Sequence, residues 1–530
     1  MRQLLISAGL AFFTVTVTAQ RNIDVLHYRF EIELSDLSDT IKGKASITVK
    51  FLERSDNLSL DFVQVIKDKL VMYTYPYMAD STKTVIPVKS AKDKIQLKLM
   101  QTAKAGDVET FIIEYKGIPS DGLIISKNKY GNRTFFADNW PNRAHNWIPC
   151  KDDPADKASV EFVVTAPNHY QVVSNGMMIE ETNLPENKKL THWKETVELP
   201  TKVMVIGLAE FAVGYAGDAA GIPVYSWVYP EDKTNGFLDY AIAPEILTFY
   251  INYIGPYPYK KLANVQSKTM FGGMENAGAI FYSENSVNGK RSTESLIAHE
   301  IAHQWFGDMA TEKSFAHLWL SEGFATYLTN IYLESKYGSD SLKKRMEIDR
   351  NQIIEFSKTN FQPVVDSISS LMDLLNTNSY QKGGWVLHML QKEMGEKIFQ
   401  KFIQTYYTLY KGKNADTRDL QAVAEEVSGK RMETFFRQWL YTPGIPKLKV
   451  TWQFDEKEKK MMLIAEQQQQ TAFQFPLEIK ILFPGDASQT TTLTISKPKE
   501  SFSIPVQQKP SRVELDPGVS LLFDGSVEKK

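Results

Sequence analysis

The segment HEIAH at residues 299–303 carries the strongest chemical signal in the sequence. Positions four apart on an α-helix lie one above the other, so His299 and His303 can reach one metal ion. Glu300 lies beside them, able to reach a water on the metal without being a ligand. Glu322 follows after eighteen intervening residues, on the next predicted helix. Two imidazoles and one carboxylate leave one tetrahedral position open, which is typical of a catalytic zinc site.

A second segment, GGMEN at residues 272–276, places a carboxylate directly after two glycines. Because glycine has no Cβ, a ligand can approach the backbone of such a segment closely. Glu275 could then receive a cationic group. Taken alone, the segment is more typical of a turn in which Glu275 is a solvated surface charge.

Together, the two segments resemble the M1 family of zinc aminopeptidases, the gluzincins that include aminopeptidase N and leukotriene A4 hydrolase. The order and spacing match, and the continuation WFGD at residues 305–308 is also similar to the family. Two further stretches resemble family segments, IPCKDDP at 148–154 and PYPY at 256–259. The resemblance therefore covers about residues 25–445.

The resemblance implies a multidomain α+β fold and a role for each site residue. It implies an N-terminal antiparallel β saddle domain and a thermolysin-like, mainly α catalytic domain, with a small C-terminal β-sandwich in this chain. His299, His303 and Glu322 would hold one Zn²⁺ ion, and Glu300 would be the general base.

Substrate recognition is implied by the same resemblance. Glu275 would bind the free α-amine of the substrate, which makes the cleft that of an exopeptidase. The substrate-binding residues are then Gly272, Gly273, Met274, Glu275 and Asn276. Tyr380, in SYQKG at residues 379–383, matches the family's tyrosine whose hydroxyl stabilises the oxyanion. The alternative for Tyr380 is an ordinary aromatic residue that packs into the core.

Two features depart from the family pattern. Many relatives have Gln or Glu nine residues before the proline of the Pro-Cys pair, and counting back from Pro149 gives Trp140. That amine-binding role is either absent or passed to Asp138 or Asn139. The sequence after residue 445 is too short for the family's long C-terminal helical domain, so we expect a more open cleft or one closed by another subunit.

Hydrophobic periodicity predicts the elements that position these residues. Residues 23–207 alternate apolar and polar side chains over short segments, which indicates half-buried antiparallel strands. Helical spacing then dominates, and alternation returns after PGIP at residues 443–446. We therefore predict a β domain over 20–207, a catalytic domain over 208–445 and a β-sandwich over 446–530. Helices are predicted at 244–254, 292–306, 318–337, 380–393, 398–410, 418–427 and 432–440.

Composition limits the class of protein. The 530 residues are 43% hydrophobic and 23% charged, as expected of packed globular domains. Lys and Arg total 61 against 63 Asp and Glu, so there is no basic excess to neutralise nucleic-acid phosphates. The single cysteine, Cys150, excludes an intramolecular disulfide and a cysteine-based metal site. We read it as a small buried hydrophobic residue.

The N-terminus predicts export. A short basic start, MRQ, precedes an apolar run from Leu4 to Val17, and VTA at residues 17–19 fits a cleavage site. The apolar run of about 14 residues is too short to span a bilayer. We therefore expect a signal peptide at residues 1–19 and a periplasmic or extracellular protein without a membrane span after cleavage.

The sequence thus predicts an exported zinc aminopeptidase that acts on peptides with a free N-terminus. Two alternatives remain open: a zinc endopeptidase on the same catalytic domain, favoured if Glu275 does not face the cleft, and an inactive relative that binds peptides. A peptide-binding protein needs no general base, so the presence of Glu300 argues against the second alternative.

Overall fold

The computed structural model describes residues 22–530 except 68, 75–76, 81–84, 92 and 486. The predicted signal peptide at residues 1–19 lies outside the described residues. No helix within those described is both long and apolar enough to cross a membrane.

The N-terminal region contains a sheet of eleven strands and a second sheet of four. The larger sheet is formed by Ile23–Glu33, Ile41–Phe51, Ser55–Asp61, Met72–Thr74, Tyr77–Asp80, Val85–Ser90, Lys94–Ala103, Val108–Gly117, Lys157–Pro167, Met177–Leu184 and Lys188–Pro200. The smaller sheet is formed by Leu123–Lys127, Arg133–Ala137, Gln171–Ser174 and Ile206–Ala209, and Val65–Ile66 pairs separately with Lys69–Leu70.

The expectation of a purely antiparallel N-terminal domain is wrong at one pair of strands. Ile23–Glu33 runs parallel to Lys157–Pro167, with Phe30 opposite Phe162. A parallel pair needs a long crossover, and here the intervening chain supplies other strands of the domain. Ile23–Glu33 also pairs antiparallel with Ile41–Phe51, so it lies between a parallel and an antiparallel neighbour. The predicted domain boundary at 207/208 falls within the last strand of the smaller sheet, Ile206–Ala209.

The middle of the chain begins with a five-stranded mixed sheet. Its spatial order is Ala212–Ala219, Ile222–Val228, Leu262–Ser267, Ala279–Ser283 and Gly273–Met274. Leu262–Ser267 is buried along its whole length and pairs in parallel with both of its neighbours. Gly273–Met274 is therefore an edge strand, and it pairs antiparallel with Ala279–Ser283.

Helices form most of the remaining middle region. They are α1 (Lys233–Tyr240), α2 (Ala243–Tyr253), α3 (Glu294–His303), α4 (Trp319–Tyr337), α5 (Ser339–Phe356), α6 (Gly383–Met394), α7 (Glu396–Tyr410), α8 (Thr417–Ser428) and α9 (Glu433–Phe436), with π-helical turns at Asn378–Lys382 and Arg437–Tyr441. Two short strands, Thr311–Glu312 and Asn414–Ala415, pair between them.

The predicted helices are confirmed in position, with differences at their ends; the one predicted at 432–440 is α-helical only at Glu433–Phe436 and continues as a π-helical turn. The predicted helix at 292–306 ends at His303, because the chain turns at Gly307, whose φ is +122°. The sequence analysis missed α1 and α5. Helix α5 buries few apolar side chains, namely Leu342, Met346 and Ile353, so its periodic signal is weak.

The C-terminal region consists of two small sheets. Lys499–Pro505, Lys460–Gln467, Lys447–Asp455 and Asp524–Lys529 form one, and Ser488–Ile495, Phe475–Leu482 and Arg512–Leu515 form the other. Alternate residues of Lys460–Gln467 are buried, as expected for strands with one face on a core. This region packs behind α5, where Arg350 forms an ion pair with Asp516.

Candidate active site

Helices α3 and α4 bring His299, His303 and Glu322 together. The Nε2 atoms of the two histidines are 3.1 Å apart. Glu322 Oε2 lies 3.4 Å from His299 Nε2 and 3.2 Å from His303 Nε2. The three ligand atoms thus converge on one point, as the spacing of the sequence predicts.

The surroundings of His303 prepare its Nε2 atom to bind a metal. His303 Nδ1 lies 3.1 Å from the carbonyl oxygen of Phe306. A carbonyl can only accept a hydrogen bond, so the contact favours the tautomer with its proton on Nδ1 and a free lone pair on Nε2. Ser321 Oγ is also 3.1 Å from Nδ1. His303 is 1% exposed, so this orientation is fixed inside the protein.

The carboxylate of Glu322 supports the same interpretation. Its Oε2 atom is buried and makes no hydrogen bond within the described part of the chain. A buried carboxylate oxygen without a donor is costly unless a cation compensates it. Two imidazole nitrogens and this oxygen form the donor set that Zn²⁺ binds in catalytic sites.

Glu300 lies against the edge strand Gly273–Met274. A Cβ atom at Gly273 would lie only 2.6 Å from Glu300 Cδ, so a larger residue there would displace the carboxylate. Glycine at 273 therefore leaves room for the Glu300 side chain, whereas the sequence analysis expected the glycines to admit a ligand. Glu300 is 5% exposed, and burial and the nearby carboxylates of Glu275 and Glu322 raise its pKa well above the usual range. A raised pKa suits a group that accepts and returns a proton.

Glu275 follows this strand and faces the same cavity. Its side chain is 5% exposed, and its Oε1 atom has no hydrogen-bond partner in the described residues. Burial raises the pKa of Glu275, and the nearby Glu322 carboxylate adds to the increase. The carboxylate is thus held without a neutralising contact on Oε1, where an incoming ammonium group could bind.

Gln304 fixes the backbone around Glu275. Its Nε2 donates to the carbonyl of Glu275 at 2.7 Å and to Asp308 Oδ2 at 3.1 Å. Its Oε1 accepts the N–H of Gly278 at 2.8 Å. Because Gln304 directly follows α3, these contacts hold the Glu275 segment against the C-terminal end of that helix. The sequence analysis did not identify Gln304, which lies outside both recognised segments.

Tyr380 lies in the π-helical turn Asn378–Lys382, beside the histidines. Its ring stacks on His299 with centroids 5.9 Å apart and an angle of 15° between planes. Close packing of Gly323 against Gly383 brings this turn onto α4. Burial and the carboxylate of Glu322 raise the pKa of Tyr380 well above its usual range, so the phenol stays protonated and able to donate.

A cavity of about 490 Å³ joins these groups. The predicted site residues that line it are Gly272, Gly273, Met274, Glu275, His299, Glu300, His303, Glu322 and Tyr380. Asn276 is fully buried behind the cavity and does not line it. The structure therefore brings all of the predicted residues except Asn276 to the lining of one cavity.

The first-domain residues that were candidates for amine binding have structural contacts instead. Asp138 accepts hydrogen bonds from Arg143, Thr269 and the N–H of Met270. Asn139 donates to the carbonyls of residues 201 and 204 and accepts from the indole of residue 147. Both side chains are fully buried and neither lines the cavity.

Trp140 forms part of the cavity wall. Its ring packs edge-on against Phe271 and Phe315, with centroids 5.9 Å away in each case. The position that carries Gln or Glu in many relatives thus presents an aromatic surface here, which can contact an apolar substrate side chain.

The far end of the cavity is lined by polar residues that sequence reasoning missed. They are Ser295 on α3, Asn330 on α4, and Arg345 and Asp349 on α5. Burial raises the pKa of Asp349 to about 6. No local motif marks these residues, because three separate helices supply them.

Comparison with known proteins matches two regions of the chain to domains of one peptidase family. Residues 25–203 match the Peptidase M1 N-terminal domain, and residues 239–439 match the Peptidase family M1 domain. The chain is 30% identical over 331 residues to Aminopeptidase M1-C of Oryza sativa subsp. japonica, which is 58% of this chain and 37% of that protein.

Two other proteins match more of the chain. It is 27% identical to Probable aminopeptidase 2 of Sulfurisphaera tokodaii, over 82% of this chain and 58% of that protein. It is 28% identical to Tricorn protease-interacting factor F2 of Thermoplasma acidophilum, over 81% of this chain and 54% of that protein. The chain thus spans less than two thirds of the length of these relatives.

Proposed function

The chain belongs to peptidase family M1, and from this premise we propose that it is a zinc-dependent aminopeptidase that removes N-terminal residues from peptides. The observation that carries the proposal is the joint position of Glu275 and Glu300. One cavity contains a metal-ligand triad, a buried carboxylate beside it and a second carboxylate directly after an edge strand. A hydrolytic centre and a receptor for an ammonium group are therefore adjacent.

His299, His303 and Glu322 would hold one Zn²⁺ ion. When bound, zinc polarises the scissile carbonyl and lowers the pKa of a water molecule towards about 7. Glu300 takes a proton from the attacking water and returns it to the leaving amine. The phenol of Tyr380 donates a hydrogen bond to the carbonyl oxygen as negative charge develops on it.

The edge strand would orient the substrate. Gly273–Met274 pairs on one side with Ala279–Ser283, so an extended peptide can add along its other side. The buried carboxylate of Glu275 then pairs with the α-ammonium group of the first substrate residue. The cut falls one residue from the N-terminus, because the metal ligands lie next to this carboxylate.

The proposal is tested by turnover of matched peptides that differ only in N-terminal acetylation. Zinc-loaded protein should cleave the free peptide and leave the acetylated one, and a chelator should stop the reaction. Equal cleavage of both peptides would indicate an endopeptidase. No cleavage of either, with zinc bound, would indicate an inactive peptide-binding protein.

The same family membership supports finer proposals on architecture. We propose that the N-terminal region is the family's β saddle, that the middle region is thermolysin-like, and that the two C-terminal sheets form a β-sandwich. We also propose that the protein is exported to the periplasm or beyond, on the basis of the N-terminal sequence pattern. Mass spectrometry of the exported protein should find Gln20 as its first residue.

A further inference from the structure

Arg345 is anchored to both helices that carry the candidate metal ligands. Its Nε donates to Asn330 Oδ1 at 2.6 Å, and its NH2 group donates to Ser295 Oγ at 2.9 Å. Ser295 lies one turn before His299 on α3. Asn330 lies about two turns after Glu322 on α4. The guanidinium is therefore held at a defined position in the cavity.

Arg345 and the Glu275 segment are anchored near opposite ends of α3, which lines that cavity. The Glu275 segment is bound by Gln304, directly after the C-terminal end of α3. Arg345 is bound by Ser295, near the N-terminal end of the same helix. Nine residues of helix between Ser295 and Gln304 correspond to about 13–14 Å. The residues of the proposed hydrolytic centre, including Glu300, lie between them.

The distance suits a short peptide bound at both ends. An extended chain spans about 3.3–3.6 Å per residue, so a tripeptide is about 10 Å long. With a hydrogen bond of about 3 Å at each end, a dipeptide spans about 13 Å and a tripeptide about 16 Å, and these lengths bracket the helix rise of about 13–14 Å between the two anchoring residues. A dipeptide or tripeptide with its ammonium group on Glu275 would thus bring its terminal carboxylate near the guanidinium.

The guanidinium has the chemistry to bind that carboxylate. Arginine carries five N–H donors in a planar fork that matches a carboxylate, and the contacts to Asn330 and Ser295 use two of them. We propose that Arg345 binds the terminal carboxylate of dipeptides and tripeptides, so that the enzyme acts preferentially on very short peptides. This inference rests on the proposed aminopeptidase function.

Asp349 supplies an opposite charge at the same end of the cavity. It lies four residues after Arg345 on α5 and accepts a hydrogen bond from Asn330 Nδ2 at 3.4 Å. Asn330 thus links the two charged side chains and holds them in place. The charge of Asp349 opposes carboxylate binding, so removal of that charge should act in the direction opposite to removal of Arg345.

The test measures binding rather than turnover, in the metal-loaded Glu300→Gln protein. Trialanine with a free carboxylate and trialanine amide are titrated by calorimetry. The free acid should bind about 10- to 100-fold more tightly, as expected for a charge-assisted pair of hydrogen bonds. Pentaalanine and its amide should bind equally, because their terminal groups lie beyond Arg345.

Variants on α5 identify the group responsible. Adding Arg345→Gln should reduce the acid-to-amide ratio to about one, and Arg345→Lys should give an intermediate ratio. Lys344→Gln removes a positive charge from an exposed neighbouring position and should leave the ratio unchanged. Asp349→Asn should tighten binding of the acid. Thermal unfolding and metal content of each variant show that the fold is retained.

Several results would overturn the inference. One is an acid-to-amide affinity ratio near one in the parent protein. Another is a ratio that stays unchanged in Arg345→Gln. A third is a reduction of the ratio in Lys344→Gln as large as that in Arg345→Gln. Tight binding of a tripeptide amide with an acidic second residue would show that Arg345 recognises a side chain instead. The proposed function is tested separately by wild-type turnover of aminoacyl reporters, so failure of one can be distinguished from failure of the other.

Discussion

The two ends of the cavity are built in different ways. At the C-terminal end of α3, Glu275 follows an edge strand whose glycine makes room for Glu300, and Gln304 binds the carbonyl of Glu275. At the N-terminal end, Arg345 is fixed by the side chains of Ser295 and Asn330. The position of Glu275 depends on the backbone of one contiguous segment. An end held by side chains can change specificity by substitution while the fold is kept.

The proposed catalytic centre lies between these two ends and would act on substrates bound at either one. Changes at the centre should therefore lower turnover of every substrate alike. Changes at the Glu275 end should alter discrimination between free and acetylated N-termini. Changes at the Arg345 end should alter discrimination between a free carboxylate and an amide. Neither change should affect the other ratio.

Loss of a metal ligand should have the largest effect. His303→Ala removes one of the three proposed protein ligands, the usual number in a catalytic zinc site, so zinc and nearly all activity should be lost. Elemental analysis and reporter turnover measure the two quantities. Stoichiometric zinc with normal turnover in this variant would contradict the metal assignment.

Glu300→Gln should separate the proton transfer from metal binding. The amide keeps the shape of the side chain but cannot accept the proton, so kcat should fall by about 10²–10⁴-fold with zinc retained. The variant should still bind free peptides more tightly than acetylated ones. It should also still bind tripeptide acids more tightly than tripeptide amides. Zinc loss as large as that of His303→Ala would mean that Glu300 is a ligand.

Tyr380→Phe should remove one hydrogen bond to the oxyanion and leave the ring stacked on His299. Loss of such a donor typically lowers kcat by about 10²–10³-fold. Zinc content and thermal stability should match the wild type. An effect below about tenfold would indicate that Tyr380 mainly packs against the site.

The smallest predicted effect concerns stability at the Arg345 end. The pKa of Asp349 is raised from 3.8 to about 6, so its ionisation costs stability as the pH rises through this range. Asp349→Asn should raise Tm by about 1–3 °C at pH 8 and change it little at pH 4. Calorimetric unfolding at the two pH values measures this difference. A rise in Tm that is larger at pH 4 than at pH 8 would contradict the prediction.

Much of the catalytic centre could be predicted from the sequence, because its signals are local. Helical spacing placed His299 and His303 together, and the second segment pointed to Glu275. The assignments of Tyr380 and of Glu300 as the base came through the family resemblance. These residue roles stay predictions, although the structure places all of them around one cavity.

The parts that could not be predicted depend on long-range contacts. Arg345 reaches the cavity from α5, a helix whose narrow apolar stripe gave no clear periodicity. Asp138 was a candidate for amine binding, but its buried contact with Arg143 is invisible in the sequence. The parallel pairing of Ile23–Glu33 with Lys157–Pro167 joins strands that are more than a hundred residues apart.

The most direct test of the account is the ratio of kcat/KM for matched free and N-acetylated peptides, in the wild type and in Glu275→Ala. We predict that acetylation abolishes cleavage by the wild type. Glu275→Ala should retain zinc, cleave free peptides much more slowly and narrow the gap between the two substrates, because the carboxylate that pairs with the ammonium group is gone. An unchanged ratio in Glu275→Ala would contradict the account, since amine recognition would then lie elsewhere.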